Sequence, residues 1–373
     1  MDLKLTPGKL RGSVTPPPSK GMHHRLLILR ALAGMENTET PDMGDDVRAT
    51  LRGIKALMTE DHPTIDCGES GSTLRLLLPI AMAKGGAEFL CGDKLMGRQS
   101  APYAVYEKKE GCLSVPGRSL RSGIYPVPGD QSMQFVSGLF FALALLDGDS
   151  TITLTTPLAS TSDVNMSIAL LKEFGVSVEK AYGGFLVRGG QKYQPCERAC
   201  ELDWSIAANF CVANQLGSEV KLEGMSRPSL QSESAMEDFC GVLPEQVNVS
   251  EVPDLVPALA LFSALSHNSM TVLHHAGRLR LKETDRLKKV SSALRALGAT
   301  VIYNGESLFV FGRETLRGGE VYSFGDHRVA MMAAVAASCC EKEVVLHGAE
   351  CVTKSYPRFF EDLKALGMKI EEV

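Results

Sequence analysis

Three stretches of this 373-residue chain share one spelling. Leu170 to Val178, Ala293 to Val301 and Leu363 to Ile370 each run from an apolar helical face through a single glycine into alternating strand residues. Gly175, Gly298 and Gly367 sit where a helix ends in the left-handed conformation that other residues resist. The first two stretches continue through a glycine-containing turn into second strands, Phe185 to Arg188 and Leu308 to Phe311. A repeated α/β unit follows, and such a unit buries its apolar face only against its neighbours. Ile54 to Met58 and Tyr106 to Leu113 read as the same unit cut short.

The apolar helices between these units begin in a recurrent way. Pro18-Ser19-Lys20-Gly21 precedes the run Met22 to Ala33, with Arg25 one turn inside. Gly68 to Arg75 precedes Leu76 to Ala83, and Asp130-Gln131-Ser132-Met133-Gln134 precedes Phe135 to Leu146. Asp203-Trp204-Ser205 and Gly325-Asp326-His327-Arg328 open two more. A helix start leaves about four N–H groups unpaired and carries roughly half a positive charge, so it receives oxyanions without special side chains. Ser, Asp and Gly are also ordinary N-caps. Five such starts, several beside Lys or Arg, imply a chain that handles phosphate and carboxylate.

Composition narrows the classes. The net charge of -5 makes a general affinity for nucleic acid or an anionic membrane surface unexpected, because those partners reward a basic field. No apolar run reaches the roughly 20 residues of a membrane span, and Met1 to Pro7 lacks a signal-peptide core. A cytoplasmic protein is expected. Ten cysteines are scattered without a Cys-x-x-Cys pair, so reduced, buried thiols are expected rather than zinc. His23-His24 and His274-His275 are adjacent pairs, and neighbouring side chains on a helix or strand are expected to point in different directions, so no metal is expected.

With Lys282-Glu283-Thr284-Asp285-Arg286-Leu287 and Cys351 to Pro357 added, the chain resembles the enolpyruvyl transferases, and among them the 5-enolpyruvylshikimate-3-phosphate synthase family. The likeness covers nearly the whole length. It implies an α/β fold of two domains, an inside-out barrel of repeated βαβαββ units with some truncated. One domain would be discontinuous, residues 1–17 plus 204–373; the other, 18–203, would be inserted, with the active site in the cleft between them. The implied activity is transfer of the enolpyruvyl group of phosphoenolpyruvate to the 5-hydroxyl of shikimate 3-phosphate, by a monomer without metal or organic cofactor.

By the same resemblance, Arg98, Arg286, Arg328 and Lys354 would hold the anionic groups of phosphoenolpyruvate, joined by Lys20, Gln134 and the backbone at Gly71. Asp254 would be the base and Glu283 the acid, with Lys20 assisting and His327 beside them. Arg25, Ser132, Ser160, Asp254 and Lys282 would face the acceptor. From the residues alone, Asp254 reads rather as a cap for the helix after it, and Glu283 as an i, i+3 partner of Arg286. Gly21, Met133, Asp163 and Arg278 depart from the family on the acceptor side. That leaves two alternatives open: a different acceptor, or an idle paralogue that binds an anion. The chain is also short, with pieces missing after Met58, after Tyr106 and between Arg227 and Val252.

Overall fold

The computed structural model describes every residue except 98–100, 159 and 283. The chain forms two compact units, one of Met1–Pro18 with Glu201–Val373 and one of Ser19–Cys200. The sequence-based crossing points shift slightly. Residues 201–203 stay with the discontinuous unit because Pro18 bridges Leu202 and the Asp203 N–H donates to Pro17 O at 2.8 Å.

The chain opens with β1 (Asp2–Leu5) and β2 (Arg11–Val14), both of the discontinuous unit. The inserted unit begins with α1 (Lys20–Leu32) and α2 (Asp45–Thr59). It continues with β3 (Thr64–Gly68), α3 (Gly71–Ala83), β4 (Gly86–Cys91), the one-turn α4 (Asp93–Met96), β5 (Glu107–Lys109) and β6 (Cys112–Pro116). A second set follows: β7 (Ile124–Pro128), α5 (Met133–Leu143), β8 (Ser150–Thr156), α6 (Thr161–Glu173), β9 (Val178–Ala181) and β10 (Gly184–Val187). The sheets run β3-β4-β6-β5 and β7-β8-β10-β9, the first two strands of each parallel and the rest antiparallel.

The discontinuous unit repeats the plan. After α7 (Trp204–Gln215), β11 (Glu219–Leu222) and the short α8 (Met236–Phe239) come β12 (Gln246–Asn248), α9 (Val256–Ala264), β13 (Thr271–His274), α10 (Arg286–Ala296), β14 (Thr300–Tyr303) and β15 (Leu308–Phe311). The last set is β16 (Gly319–Tyr322), α11 (His327–Ala337), β17 (Val344–His347), α12 (Phe359–Ala365) and β18 (Ile370–Glu372). Its sheets are β12-β13-β15-β14 and β16-β17-β1-β18. The strand from the chain's start thus takes the fourth place of the last repeat, while β2 pairs in parallel with β11.

The helix ends match the spelling. Gly175, Gly298 and Gly367 have φ of 78°, 99° and 96°. The N–H after each glycine reaches back five residues, Val176 to Leu171 O, Ala299 to Leu294 O and Met368 to Leu363 O, which satisfies a helix-end carbonyl. The shortened units differ from one another. Ile54 to Met58 lies in α2, which leads into β3 without a hairpin of its own; Tyr106 to Leu113 keeps its hairpin but is preceded only by α4.

Every residue of α9 and α11 is buried, as is α7 from Trp204 to Ala213, and the three helices pack on one another. A helix apolar on all sides has no other place to go. In the inserted unit α3 crosses α5 closely. A Cβ on Gly138 would come within 2.5 Å of Arg75 O, so a larger residue there would push the two helices apart.

Leu5 of β1 is fully buried between Val344 and Ile370, its partners in β17 and β18. Leu5→Ala should destabilise the discontinuous unit by about 2 to 5 kcal/mol. The protein's one tryptophan, Trp204, lies in that unit, so urea unfolding followed by tryptophan fluorescence reads the effect directly; an unchanged midpoint would show that β1 is dispensable.

Candidate functional site

The two units carry separate clusters of the expected residues. In the discontinuous unit Asp254 belongs to a 3-10 turn, Pro253–Leu255, and does not serve as the N-cap of α9. Its carboxylate turns instead to three cations. Arg286 Nη1 donates to Oδ1 at 2.9 Å, Arg328 Nη2 donates to Oδ2 at 3.0 Å, and Lys282 Nζ lies 3.5 Å from Oδ1.

Behind these, Asp326 caps α11 by accepting from the Arg328 N–H at 3.0 Å, and its other oxygen accepts from Arg286 Nε at 2.8 Å and Thr284 Oγ1 at 3.4 Å. Arg286 is 1% exposed and Asp326 fully buried. The arginine fork therefore bridges two carboxylates from inside the protein, a task its planar donor set performs and a lysine does not. His327 opens α11 and is buried. Lys354 closes the 3-10 helix Ala349–Lys354, whose start is held by Gly348 N–H donating to Asp2 Oδ1 at 3.0 Å. Glu283 lies outside the described residues.

In the inserted unit Lys20 is the first residue of α1 and Gly71 the first of α3. Lys20 Nζ donates to Asp46 Oδ2 at 2.9 Å, the two side chains being 14% and 12% exposed. Ser132 caps α5 by accepting from Gln134 N–H at 3.3 Å. The Gln134 amide then spans to α3, donating to Ser72 Oγ at 2.7 Å and accepting from Arg75 Nη1 at 3.3 Å. The Arg75 guanidinium also lies 5.4 Å from the Phe135 ring centre, a cation–π contact. Arg98 lies outside the described residues.

Arg25 bonds within its own unit. It is 2% exposed; Nε donates to Ser167 Oγ at 2.7 Å, Nη1 to Gly21 O at 2.7 Å, and Nη2 to Asp163 O at 3.3 Å and Oδ1 at 3.4 Å. Burial lowers its pKa and Asp163 works against that. Ser160 stands at the N-cap of α6, its hydroxyl 2.8 Å from that of Ser162.

Asp46, Arg75 and Asp326 join these clusters although none was singled out as a site residue from the sequence. Arg75 and Asp326 lie within the helix starts Gly68 to Arg75 and Gly325 to Arg328, so their signal is present in the sequence. Asp46 had none, since an acid in the first turn of a helix is ordinary.

The fold is that of the enolpyruvyl transferases. An EPSP synthase of known structure from Acinetobacter baumannii superposes with a TM-score of 0.75 at 22% identity, covering 100% of both chains. The enolpyruvyl transferase NikO from Streptomyces tendae gives 0.74 at 16% identity, covering 100% of this chain and 98% of that one. The family model described as EPSP synthase (3-phosphoshikimate 1-carboxyvinyltransferase) matches residues 58–363. The 3-phosphoshikimate 1-carboxyvinyltransferase of Clostridium kluyveri is 38% identical over 420 aligned positions, covering 99% of this chain and 98% of that one. That of Clostridium acetobutylicum is 37% identical, again covering 99% and 98%. This chain belongs to the EPSP synthase family. Alignments of 420 positions against 373 residues here fit its shortened repeats.

Burial pushes His23 down to about 4, and His24 well below its ordinary 6.5. Both rings are neutral when folded yet gain a proton when unfolded below pH 6.5, so this stabilising contribution is complete above that pH and drains away toward pH 4. Between about pH 7 and about pH 4, wild type should lose more stability than His23→Gln, whose amide does not titrate. Urea unfolding followed by circular dichroism checks this; parallel losses would contradict it.

Proposed function

We propose that this protein transfers the enolpyruvyl group of phosphoenolpyruvate to the 5-hydroxyl of shikimate 3-phosphate through the residues gathered above. The observation that carries the assignment is the Asp254 carboxylate held by Arg286, Arg328 and Lys282.

The chemistry is addition followed by elimination. The acceptor oxygen bonds to C2 of the enol while the methylene carbon takes a proton, giving a tetrahedral adduct. Loss of phosphate and of a proton from the new methyl group restores the double bond. The first step needs a base at the hydroxyl and an acid at the methylene; Asp254 and Glu283 take these roles, with Lys20 close enough in character to assist and His327 alongside. Phosphate leaves with its charge, so cations fixed beforehand stabilise both the bound reactant and the departing anion.

In the free protein Asp254 occupies the same guanidinium groups that a phosphate or carboxylate would engage. Substrate anions share those donors and leave a carboxylate oxygen available to the acceptor hydroxyl. Lys20, Arg98, Arg286, Arg328, Lys354, Gln134 and the Gly71 amide serve phosphoenolpyruvate, while Arg25, Ser132, Ser160 and Lys282 serve the acceptor. No helix among the described residues is long and apolar enough to cross a membrane. A monomer acting in the cytoplasm on soluble metabolites completes the reading.

Purified protein should release phosphate from phosphoenolpyruvate only when shikimate 3-phosphate is present, with the enolpyruvyl ether seen by mass spectrometry. Asp254→Asn should lower kcat by roughly 100- to 10,000-fold, the usual worth of a positioned base. Release without the acceptor, or none at all, would overturn the reading.

Asp163 makes a separate claim on the acceptor side. Its half-exposed carboxylate sits on Arg25, so an anionic acceptor meets a negative charge there. Asp163→Asn should lower KM for shikimate 3-phosphate about threefold to tenfold and leave KM for phosphoenolpyruvate unchanged. Steady-state kinetics with each substrate varied in turn decides it, and a higher KM for the acceptor would show that Asp163 itself binds it.

A further inference from the structure

We propose that His24, Thr50 and Thr73 are positioning residues that lock Lys20 and the Gly71 end of α3 into one rigid anion-binding frame. The proposal rests on the functional reading above for what the frame holds, and on the geometry of the inserted unit for the frame itself.

Three helices meet around a short line of polar atoms. His24 of α1 places Nδ1 2.7 Å from Thr50 Oγ1 of α2, which lies 2.7 Å from Thr73 Oγ1 of α3. Thr73 Oγ1 donates toward Ser70 Oγ at 2.8 Å, and Ser70 Oγ caps α3 by accepting from Thr73 N–H at 3.2 Å. The two threonine hydroxyls also approach one acceptor, the carbonyl of Asp46, at 3.1 Å from Thr73 and 3.5 Å from Thr50. Asp46 in turn holds the Lys20 ammonium. The line therefore starts at the helix that carries Lys20, passes through the start of α2 and ends at the cap beside Gly71.

Burial makes this a constraint rather than decoration. His24, Ser70, Thr50 and Thr73 are all between 0% and 1% exposed, so no bulk water replaces a missing partner. In the tautomer of the neutral ring that carries its proton on Nδ1, one consistent assignment has Nδ1–H donating to Thr50, Thr50 to Thr73 and Thr73 to Ser70, each hydroxyl using its single proton once. Removing the middle hydroxyl takes the partner of His24 Nδ1 and breaks the link from α1 to Thr73, which keeps only Ser70 and Asp46, and in low dielectric the stranded imidazole nitrogen carries a desolvation penalty. The cheapest relaxation is for α1 and α3 to move apart, which separates the Lys20 ammonium from the Gly71 amide.

None of the three touches a reacting atom on this reading, so the test must distinguish positioning from stability. Thr50→Val keeps the shape and removes the hydroxyl, whereas Thr50→Ser keeps the hydroxyl. Two readouts are taken on the full chain: calorimetric binding of phosphoenolpyruvate in the presence of shikimate 3-phosphate, and amide hydrogen exchange across residues 19–25 and 70–76. Thr50→Val should weaken phosphoenolpyruvate binding about tenfold or more, since small displacements of binding groups are that costly. It should speed exchange at both segments together, and Thr50→Ser should match wild type. Unchanged binding and exchange in folded Thr50→Val would overturn the proposal, as would equal damage in Thr50→Ser.

Should Thr50→Val not fold, the same comparison is made between His24→Phe and His24→Asn, whose side-chain amide can stand in for Nδ1. Identical behaviour of those two variants would likewise overturn it. If wild type neither binds nor turns over phosphoenolpyruvate, the functional reading fails, and coupled exchange at the two segments still decides whether the frame exists.

Discussion

A helix that is apolar on every side must be buried, and its polar start then becomes the place where the buried interior meets ligands. This constraint governs the discontinuous unit. α7, α9 and α11 pack on one another almost without solvent contact, and each starts within a residue or two of an acid: Asp203, Asp254 and Asp326. The 3.0 Å contact between Asp254 and Arg328 shows that the starts of α9 and α11 meet. Charged side chains with nowhere else to go are gathered there by packing that is wholly apolar.

The charge balance of that cluster argues for ligands rather than for stability alone. Three cations, Lys282, Arg286 and Arg328, share two carboxylates, Asp254 and Asp326. Buried ion pairs recover little net stability, because desolvation offsets most of their attraction. Arg286 at 1% exposure is a costly residue to keep for packing. Among the described residues the cations outnumber the carboxylates by one, and guanidinium groups fixed by a second carboxylate behind them suit an incoming oxyanion.

The parts of this structure that were legible in the sequence are those with local causes. Helix starts at Lys20, Gly71, Met133, Trp204 and His327 follow from Ser, Asp and Gly ahead of apolar runs, and the glycine C-caps follow from the need for positive φ. The pairing of β1 between β17 and β18 joins opposite ends of the chain; the family likeness implied only that residues 1–17 belong with the C-terminal half. Asp46 and Thr50 were invisible because an acid and a threonine near a helix start fit any surface helix. Their importance comes from a crossing of three helices that no window of sequence contains. Asp163 departs from the family on the acceptor side, but its partner Arg25 lies 138 residues away.

The shortened repeat shows which features the fold needs to retain. α6 spans 13 residues, whereas α4, in the same place between the second and third strands of its repeat, has 4. What remains of α4 is tied to the loop before α3: Glu69 accepts from the N–H groups of Lys94 at 3.3 Å and Leu95 at 2.8 Å. Gly92 makes the approach possible, since a Cβ there would fall 2.3 Å from Glu69 Oε1. An outer helix contributes burial, which its neighbours can partly replace. The segment leading into α3 sets where Gly71 and Ser70 sit, and it is held from that side by the two bonds to Glu69 and by Gly92 N–H donating to Gly68 O at 2.7 Å. The single turn of α4 supplies N–H donors that hold that segment, a contact that bulk apolar surface cannot make.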